Sequence, residues 1–423
     1  RTDDELRFRH DKLREGVLAT LADDERAKLH ARVAEALEAE HPGQPEFYAA
    51  MAHHFGQASN RAKEAHYAGL AGDYALLHGA IREALELLEL SRAWLARGQD
   101  ALALARVCVT LGDAYYLMTD MRKSMACANQ AGAALGVRFP TSSAGRGVAL
   151  LWHLLLHVAY RLWPNLAARA TAEARAKCQV ASVASGCVAT IGISQSDALG
   201  VLLFSLMAWN LGERAGAPNL WASGILGYGL ATLGLTGLAQ SYFVSTERGA
   251  RVLDGSYAVV KTGYLIGTGD LDAAEALMQE GLELAPRTGF YRAEAFRWFY
   301  LGYCAYFRGD LAEADKRFVL AAAHEGTRAN FAPGLALVRC LEGKLADAES
   351  HLTEALHEDN PAAPRAIALG VLAMIQARRD DLPAALRSAD SAVALANGGN
   401  TFGYAGAAYF AGVFEAYLAE LEQ

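Results

Sequence analysis

The chain has 423 residues, of which 53% are hydrophobic and 20% charged. This length exceeds that of one compact core, and the hydrophobic composition favours stacked repeats. The formal charge of −8 and the lack of any basic run argue against a surface for phosphate backbones, so we expect no nucleic-acid partner. Six cysteines without a C-x-x-C pair predict buried thiols in a reducing, cytoplasmic compartment rather than a disulfide framework.

The N-terminal residues carry a signature of their own. Phe8–Glu15 and Asp23–Leu37 predict two helices joined by a short acidic turn, and Leu29, Val33 and Leu37 form one apolar face of the second helix. These phrases resemble a segment of bacterial STAND-class signalling ATPases that ends a winged-helix-like module and opens a tetratricopeptide-like array.

This resemblance implies a function as well as a fold. In that family the array lies downstream of a nucleotide-binding module, often in proteins that also carry a kinase, cyclase or DNA-binding output domain. We therefore expect residues 1–40 to be the last helices of the winged-helix-like module and residues 41–136 to be the first repeats. Within the latter, His66–Ala75 and Ala80–Leu88 resemble the first repeat of the family. The chain opens on Arg1 rather than Met, so we expect a piece of a longer protein.

The middle of the chain is less regular. Residues 137–147 cannot continue a helix, and Val148–Leu162 predicts a strongly apolar helix whose repeat register the sequence leaves open. His153 and His157 stand four residues apart there, but no carboxylate or cysteine accompanies them, so we interpret them as packed or surface histidines rather than metal ligands. Ala215–Thr246 carries no formal charge and is long enough for a membrane span, yet its glycines and repeat spacing favour buried repeats.

The clearest repeat begins at Trp298. Large and small residues follow the spacing of a tetratricopeptide unit: Trp298, Leu301, Gly302, Ala305, Ala314, Phe318 and Ala321. Small residues equivalent to Ala314 recur at steps of 35, 40, 34 and 37 residues, namely Ala239, Ala274, Ala314, Ala348 and Ala385. Because one hairpin cannot bury its faces alone, we predict an all-α, tetratricopeptide-like antiparallel helix-hairpin superhelix, an α-solenoid, with its main array over residues 148–423.

Aromatic residues give the one candidate binding site. A stripe with spacings of 3, 4 and 3 residues runs along the helix of Trp298: Phe296, Phe299, Tyr303 and Tyr306. In tetratricopeptide proteins these positions line the concave surface, and Trp221 and Tyr228 match them two repeats earlier. Such a groove suits a peptide, a protein or a small apolar ligand. The alternative is that a tight superhelix buries the stripe, and Gly263 and Gly267 between the two groups fit either case.

The sequence predicts no catalysis and no cofactor, because it contains no phosphate-binding loop, nucleophile elbow or cluster of metal ligands. We expect a regulatory sensor that binds a ligand in the groove and signals to an attached ATPase or output domain, with no membrane partner. The alternative is a structural adaptor that mediates oligomerisation or complex assembly through end residues such as Tyr409, Phe410 and Phe414.

Overall fold

Helices make up the regular structure of the chain. A computed structural model describes residue 16 and residues 20–98, 100–118, 120–163, 165–166, 170–195, 197–217, 219–232, 235–249, 255–288, 292–323, 328–358, 360, 362–397 and 406–422. Within these ranges it has twenty α-helices, one 3-10 helix at Pro45–Phe47 and no strand. The all-α prediction is confirmed, while the Phe8–Glu15 phrase lies outside the described residues.

The chain separates into two compact units, of which the first comprises Arg1–Ala75 and Arg82–Asp100 and the second Leu76–Ile81 and Ala101–Gln423. The helices before residue 101 are α1 (Asp23–Glu40), α2 (Tyr48–Gln57), α3 (Arg61–Leu77) and α4 (Ile81–Leu95). The assignment of residues 1–40 to a winged-helix-like module stays a prediction.

Sixteen helices follow residue 100. They are α5 (Ala101–Leu117), α6 (Met121–Ala134), α7 (Ser143–Leu162), α8 (Ala172–Ser194), α9 (Ala198–Ala215), α10 (Leu220–Thr232), α11 (Thr236–Gly249), α12 (Gly255–Thr268), α13 (Leu271–Thr288), α14 (Arg292–Phe307), α15 (Leu311–Ala322), α16 (Arg328–Leu341), α17 (Leu345–Leu352), α18 (Ala362–Ala377), α19 (Leu382–Asn397) and α20 (Gly406–Leu421). Neighbouring helices pack in pairs, as α8 does with α9 and α14 with α15. Alternate helices from α10 to α18 also contact one another, which is the stacking that a solenoid requires.

Glycine and aspartate set the ends of several hairpins. Gly269 and Gly309 adopt a left-handed backbone, with φ of 84° and 82°, which ends one helix without a side-chain clash. The next residues, Asp270 and Asp310, accept hydrogen bonds from backbone N–H groups in the first turn of the following helix. This Gly-Asp pair turns the chain back on itself, so a local signal in the sequence determines where the hairpin folds.

The repeat register predicted from small residues is confirmed. All five marker alanines are fully buried: Ala239, Ala274, Ala314, Ala348 and Ala385. The ring of Phe318 lies between two helices at glycine positions, because a Cβ atom added at Gly302 or Gly334 would come within 2.7 or 2.8 Å of its Cε1. Gly302 therefore leaves room for Phe318, as the spacing predicted.

Ala215–Thr246 folds as separate helices within the array. It covers most of α10 and α11, which pack against each other as a hairpin, so the stretch is part of the repeat array, although Leu235 and Leu238 remain half exposed. One helical segment in the described part of the chain, Ala172–Ile193, is long and apolar enough to cross a membrane by length and composition, and 56% of it is buried inside the protein.

Histidines join the first two helices of the first unit. His30 of α1 and His54 of α2 bring their Nδ1 atoms to 2.7 Å, so one nitrogen donates a proton and the other accepts it. The His53 ring lies 5.9 Å from that of His30, and Arg26 adds a positive charge to its surroundings. Burial first, and then these neighbours, lower the pKa of His30, and burial with His30 and His53 lowers that of His54.

This contact is expected to make the first unit sensitive to acid. Both pKa values are lower in the folded state than the ordinary 6.5, so the unfolded chain binds protons first and the free energy of unfolding falls as pH decreases through 6.5. The free energy of unfolding stops falling once the pH is below the lowered pKa values of the folded state. Hydrogen exchange of the α1 and α2 amides, followed from about pH 7.5 to about pH 5, measures this loss of stability. His54→Gln should flatten the profile, and an equally steep profile in that variant would contradict the assignment.

Candidate ligand-binding site

The six aromatic residues predicted to line a groove lie on two helices. Trp221 and Tyr228 belong to α10, and α14 carries the other four, Phe296, Phe299, Tyr303 and Tyr306. One helix, α12, contacts both α10 and α14, so the two groups belong to one stacked series of alternate helices. Tyr303 is the one buried member, and the other five are half-buried.

Tyr303 belongs to the interior of the hairpin stack. Its side chain is 1% exposed, and its ring lies 4.9 Å from that of Phe299 and 5.2 Å from that of Phe318. Phe299 in turn lies 4.5 Å from Phe331 of α16, which fills the space between the two hairpins. Burial raises the pKa of the Tyr303 phenol. At Tyr303 the structure shows the buried arrangement that the sequence left open as the alternative, whereas Phe299 is half-buried and packs among these rings.

Phe299 is itself half-buried but is enclosed by other rings, and the remaining four predicted residues are half-buried without such an enclosure in the described contacts. Trp221 packs over Gly186 of α8, where an added Cβ atom would lie 3.7 Å from its ring. Phe296 meets Phe331 edge to face at 5.1 Å, and Tyr306 keeps part of its ring exposed beside the exposed Phe307. Half-buried aromatic rings are held in place by their own chain and still present apolar area to a partner.

Phenol groups from α10 and α14 lie close enough to interact. Burial raises the pKa of Tyr228, and the phenol of Tyr300 on α14 raises it further. Burial also raises the pKa of Tyr306. On the intervening helix, a Cβ atom added at Gly267 would meet nothing within 4 Å, so this glycine faces open space and serves no close helix contact. The half-buried rings and this open position define the candidate site, which we call the inner aromatic surface: Trp221, Tyr228, Phe296 and Tyr306.

The sequence analysis missed Arg297, which directly precedes Trp298. Its side chain is 5% exposed, and its Nε–H and Nη1–H groups have no hydrogen-bond acceptor among the described residues. The guanidinium lies against Gly281 of α13, where any larger residue would overlap it. Burial lowers its pKa. The sequence signal for this residue was a lone arginine within the run Glu294–Phe307. Its guanidinium offers two hydrogen-bond donors to an anion.

The two histidines of α7 are held by protein partners. His157 is buried, with Nδ1 3.3 Å from Asn210 Oδ1 and Nε2 2.9 Å from the Tyr242 hydroxyl. A neutral ring with its proton on Nδ1 satisfies both contacts, and burial lowers the pKa of His157. No group of three or more His, Cys, Asp or Glu side chains suited to a metal ion occurs in the part of the chain that the structure describes.

No protein-family model and no curated protein matches the chain. Among solved structures it is similar to the human IFIT1 dimer with PPP-AAAA, at 12% identity and a TM-score of 0.46, over 95% of this chain and 87% of that one. The complex of Cut9 and Hcn1 from APC/C matches at 12% identity and a TM-score of 0.38, over 98% and 86%. Both are helical-repeat proteins of the tetratricopeptide type. At TM-scores below 0.5 these likenesses say nothing of the ligand, and the absence of a nucleic-acid partner stays a prediction.

Proposed function

We propose that this chain is a non-catalytic binding scaffold whose inner aromatic surface takes an apolar segment of a peptide or protein. The observation that carries the proposal is the pair of half-buried aromatic groups on α10 and α14, with open space at Gly267 on the helix between them. Trp221 and Tyr306 supply contact area at small cost in side-chain entropy, and tyrosine adds a hydroxyl for orientation.

The scaffold is proposed to regulate a larger protein in the cytoplasm. The resemblance of the N-terminal phrases to STAND-class ATPases supports an attached ATPase or output domain. In a helical-repeat array each hairpin contacts only its neighbours, so a ligand that bridges α10 and α14 changes the curvature of the helices between them. Occupancy would then reach the attached domain as a change in geometry, provided that the ligand prefers one curvature.

A second candidate function is assembly through the last helix. Phe410 and Phe414 of α20 stack at 6.1 Å and are exposed, together with Leu418 and Leu421. The side chain of Tyr409, which the sequence analysis placed with them, lies outside the described residues. An exposed apolar helix face of this size supports a role as a structural adaptor.

A displayed library of random peptides of about twelve residues, selected against the purified chain, tests binding at the inner aromatic surface. We expect enriched apolar peptides whose affinity falls about tenfold or more in Trp221→Ala and in Tyr306→Ala, because truncated aromatic anchors lose most of their contact area. Val319→Ala is the matched control, since Val319 is exposed on α15, outside this surface.

Two results would contradict the proposal. One is a library that yields no binder. The other is a set of peptides whose affinities are the same for Trp221→Ala, Tyr306→Ala and the Val319 control. Thermal melting of each variant separates lost binding from lost folding.

A further inference from the structure

Helix α7 is oriented with its polar side chains towards its own chain. Besides the two His157 contacts, Asn210 of α9 donates a hydrogen bond of 2.8 Å to the carbonyl oxygen of His153. The guanidinium of Arg161 lies 5.3 Å from the ring centre of Trp209, and Arg146 forms a 2.6 Å ion pair with Asp197. These contacts tie the polar face of α7 to the protein, so its opposite face is held outward.

That outward face is apolar. Eight large side chains on it and at its C-terminal end are between 48% and 73% exposed, namely Val148, Leu151, Trp152, Leu154, Leu155, Val158, Leu162 and Trp163. Single exposed apolar residues are common, but a continuous group of this size marks an interaction site. We call this group the α7 face.

The spacing of the α7 face shows which kind of partner fits it. Val148, Leu151, Leu155, Val158 and Leu162 follow steps of 3, 4, 3 and 4 residues, which are the a and d positions of a coiled-coil seam. Side chains in this arrangement form knobs and holes that accept a second helix with the same repeat. Lipid requires no such register, so the spacing favours a helix over a membrane surface.

Charge and area favour a second copy of this chain as that helix. The two arginines of α7 are directed to Asp197 and to aromatic rings, which leaves the face without charge, and the net charge of −8 disfavours anionic lipid. Eight side chains that each expose roughly 100 Å² would bury about 1,600 Å² over two copies, the usual area of a stable interface. A self-complementary helix face is also what a two-fold dimer requires.

We propose that the chain forms a homodimer through its α7 faces, with the seam of one copy packed into that of the other. Leu155 lies at the midpoint of the seam, equally far from Val148 and Leu162, so it meets its own equivalent across the two-fold axis. This dimer contact is separate from the inner aromatic surface and from the exposed apolar residues of α20. The dimer proposal therefore stands even if neither of those surfaces binds a partner.

Sedimentation of the purified chain between about 1 and 100 µM tests the proposal. We expect a concentration-dependent dimer, and we expect Leu151→Glu with Leu155→Glu to raise its dissociation constant more than about a hundredfold, because two carboxylates would be buried without partners. Leu235→Glu with Leu238→Glu is the matched control, since both leucines are half exposed elsewhere in the array, and it should remain dimeric.

A second measurement keeps the test independent of folding. Leu155→Cys should form an intermolecular disulfide under mild oxidation, whereas Leu238→Cys should not. A monomer at every concentration, or a dimer that is unchanged in the Leu151→Glu, Leu155→Glu variant with normal helicity, would overturn the proposal. A monomer that binds phosphatidylcholine vesicles through the same face would also overturn it and assign the α7 face to lipid.

Discussion

Phe318→Ala is expected to lower the free energy of unfolding of the second unit by about 3–5 kcal/mol. The ring is fully buried and lies between Gly302 of α14 and Gly334 of α16, with Tyr303 against its edge at 5.2 Å. Truncation removes the whole ring, and the rigid helices around it close only part of the space. The cost therefore includes the lost burial and the cavity that remains.

Urea unfolding followed by far-UV circular dichroism and tryptophan fluorescence measures this loss. Val319→Ala is the matched control, because Val319 is the next residue on the same helix and is exposed, so its change should stay within about 0.5 kcal/mol. Equal losses for the two variants would show that Phe318 does not hold the hairpins together. Trp298 of α14 lies near the change and reports the local transition.

Gly412→Ala is expected to displace α20 from α18. A Cβ atom at Gly412 would overlap the carbonyl oxygen of Gly370, which belongs to the backbone of α18 and cannot move aside as a flexible side chain would. Overpacking of this kind costs about 1–3 kcal/mol or more. We expect faster hydrogen exchange in α20 and α18 and a lower melting temperature, with the rest of the array unchanged.

Gly267→Ala is the control for Gly412→Ala, since it makes the same substitution in a helix where the new methyl group meets nothing within 4 Å. It should be neutral or stabilise the protein by up to about 1 kcal/mol, the difference in helix propensity between the two residues. Equal melting temperatures and equal exchange rates in the two variants would contradict the close approach of α18 and α20.

Much of the fold was readable from the sequence because its determinants are local. Gly309 and Asp310 set the turn between α14 and α15 through their own backbone and side-chain preferences, and Gly302 with Phe318 has the spacing of one hairpin. Ala348 and Ala385 extended the register because each hairpin repeats the same contact with its neighbour. Turns and repeat spacing of this kind depend only on residues that are close together in the sequence.

The candidate binding surface was less predictable, because helical spacing gives the face of a residue and not what covers that face. Phe296 and Tyr303 share one stripe, but Phe318 and Phe299 cover Tyr303 while Phe296 stays half-buried. Arg297 was overlooked for the same reason, since nothing in its sequence neighbourhood shows that its N–H groups meet no acceptor among the described residues.

The sequence by itself determined the helices, their hairpins and the small residues at which they meet, because these follow from short-range spacing and backbone preference. Only the tertiary structure decided the orientation of α7. The sequence predicted a strongly apolar helix there and left its register open, whereas Asn210 and Tyr242, more than fifty residues away, hydrogen-bond to His157 and turn the leucines outward. Buried polar groups need specific partners and apolar groups do not, so the hydrogen bonds fixed the direction of the helix.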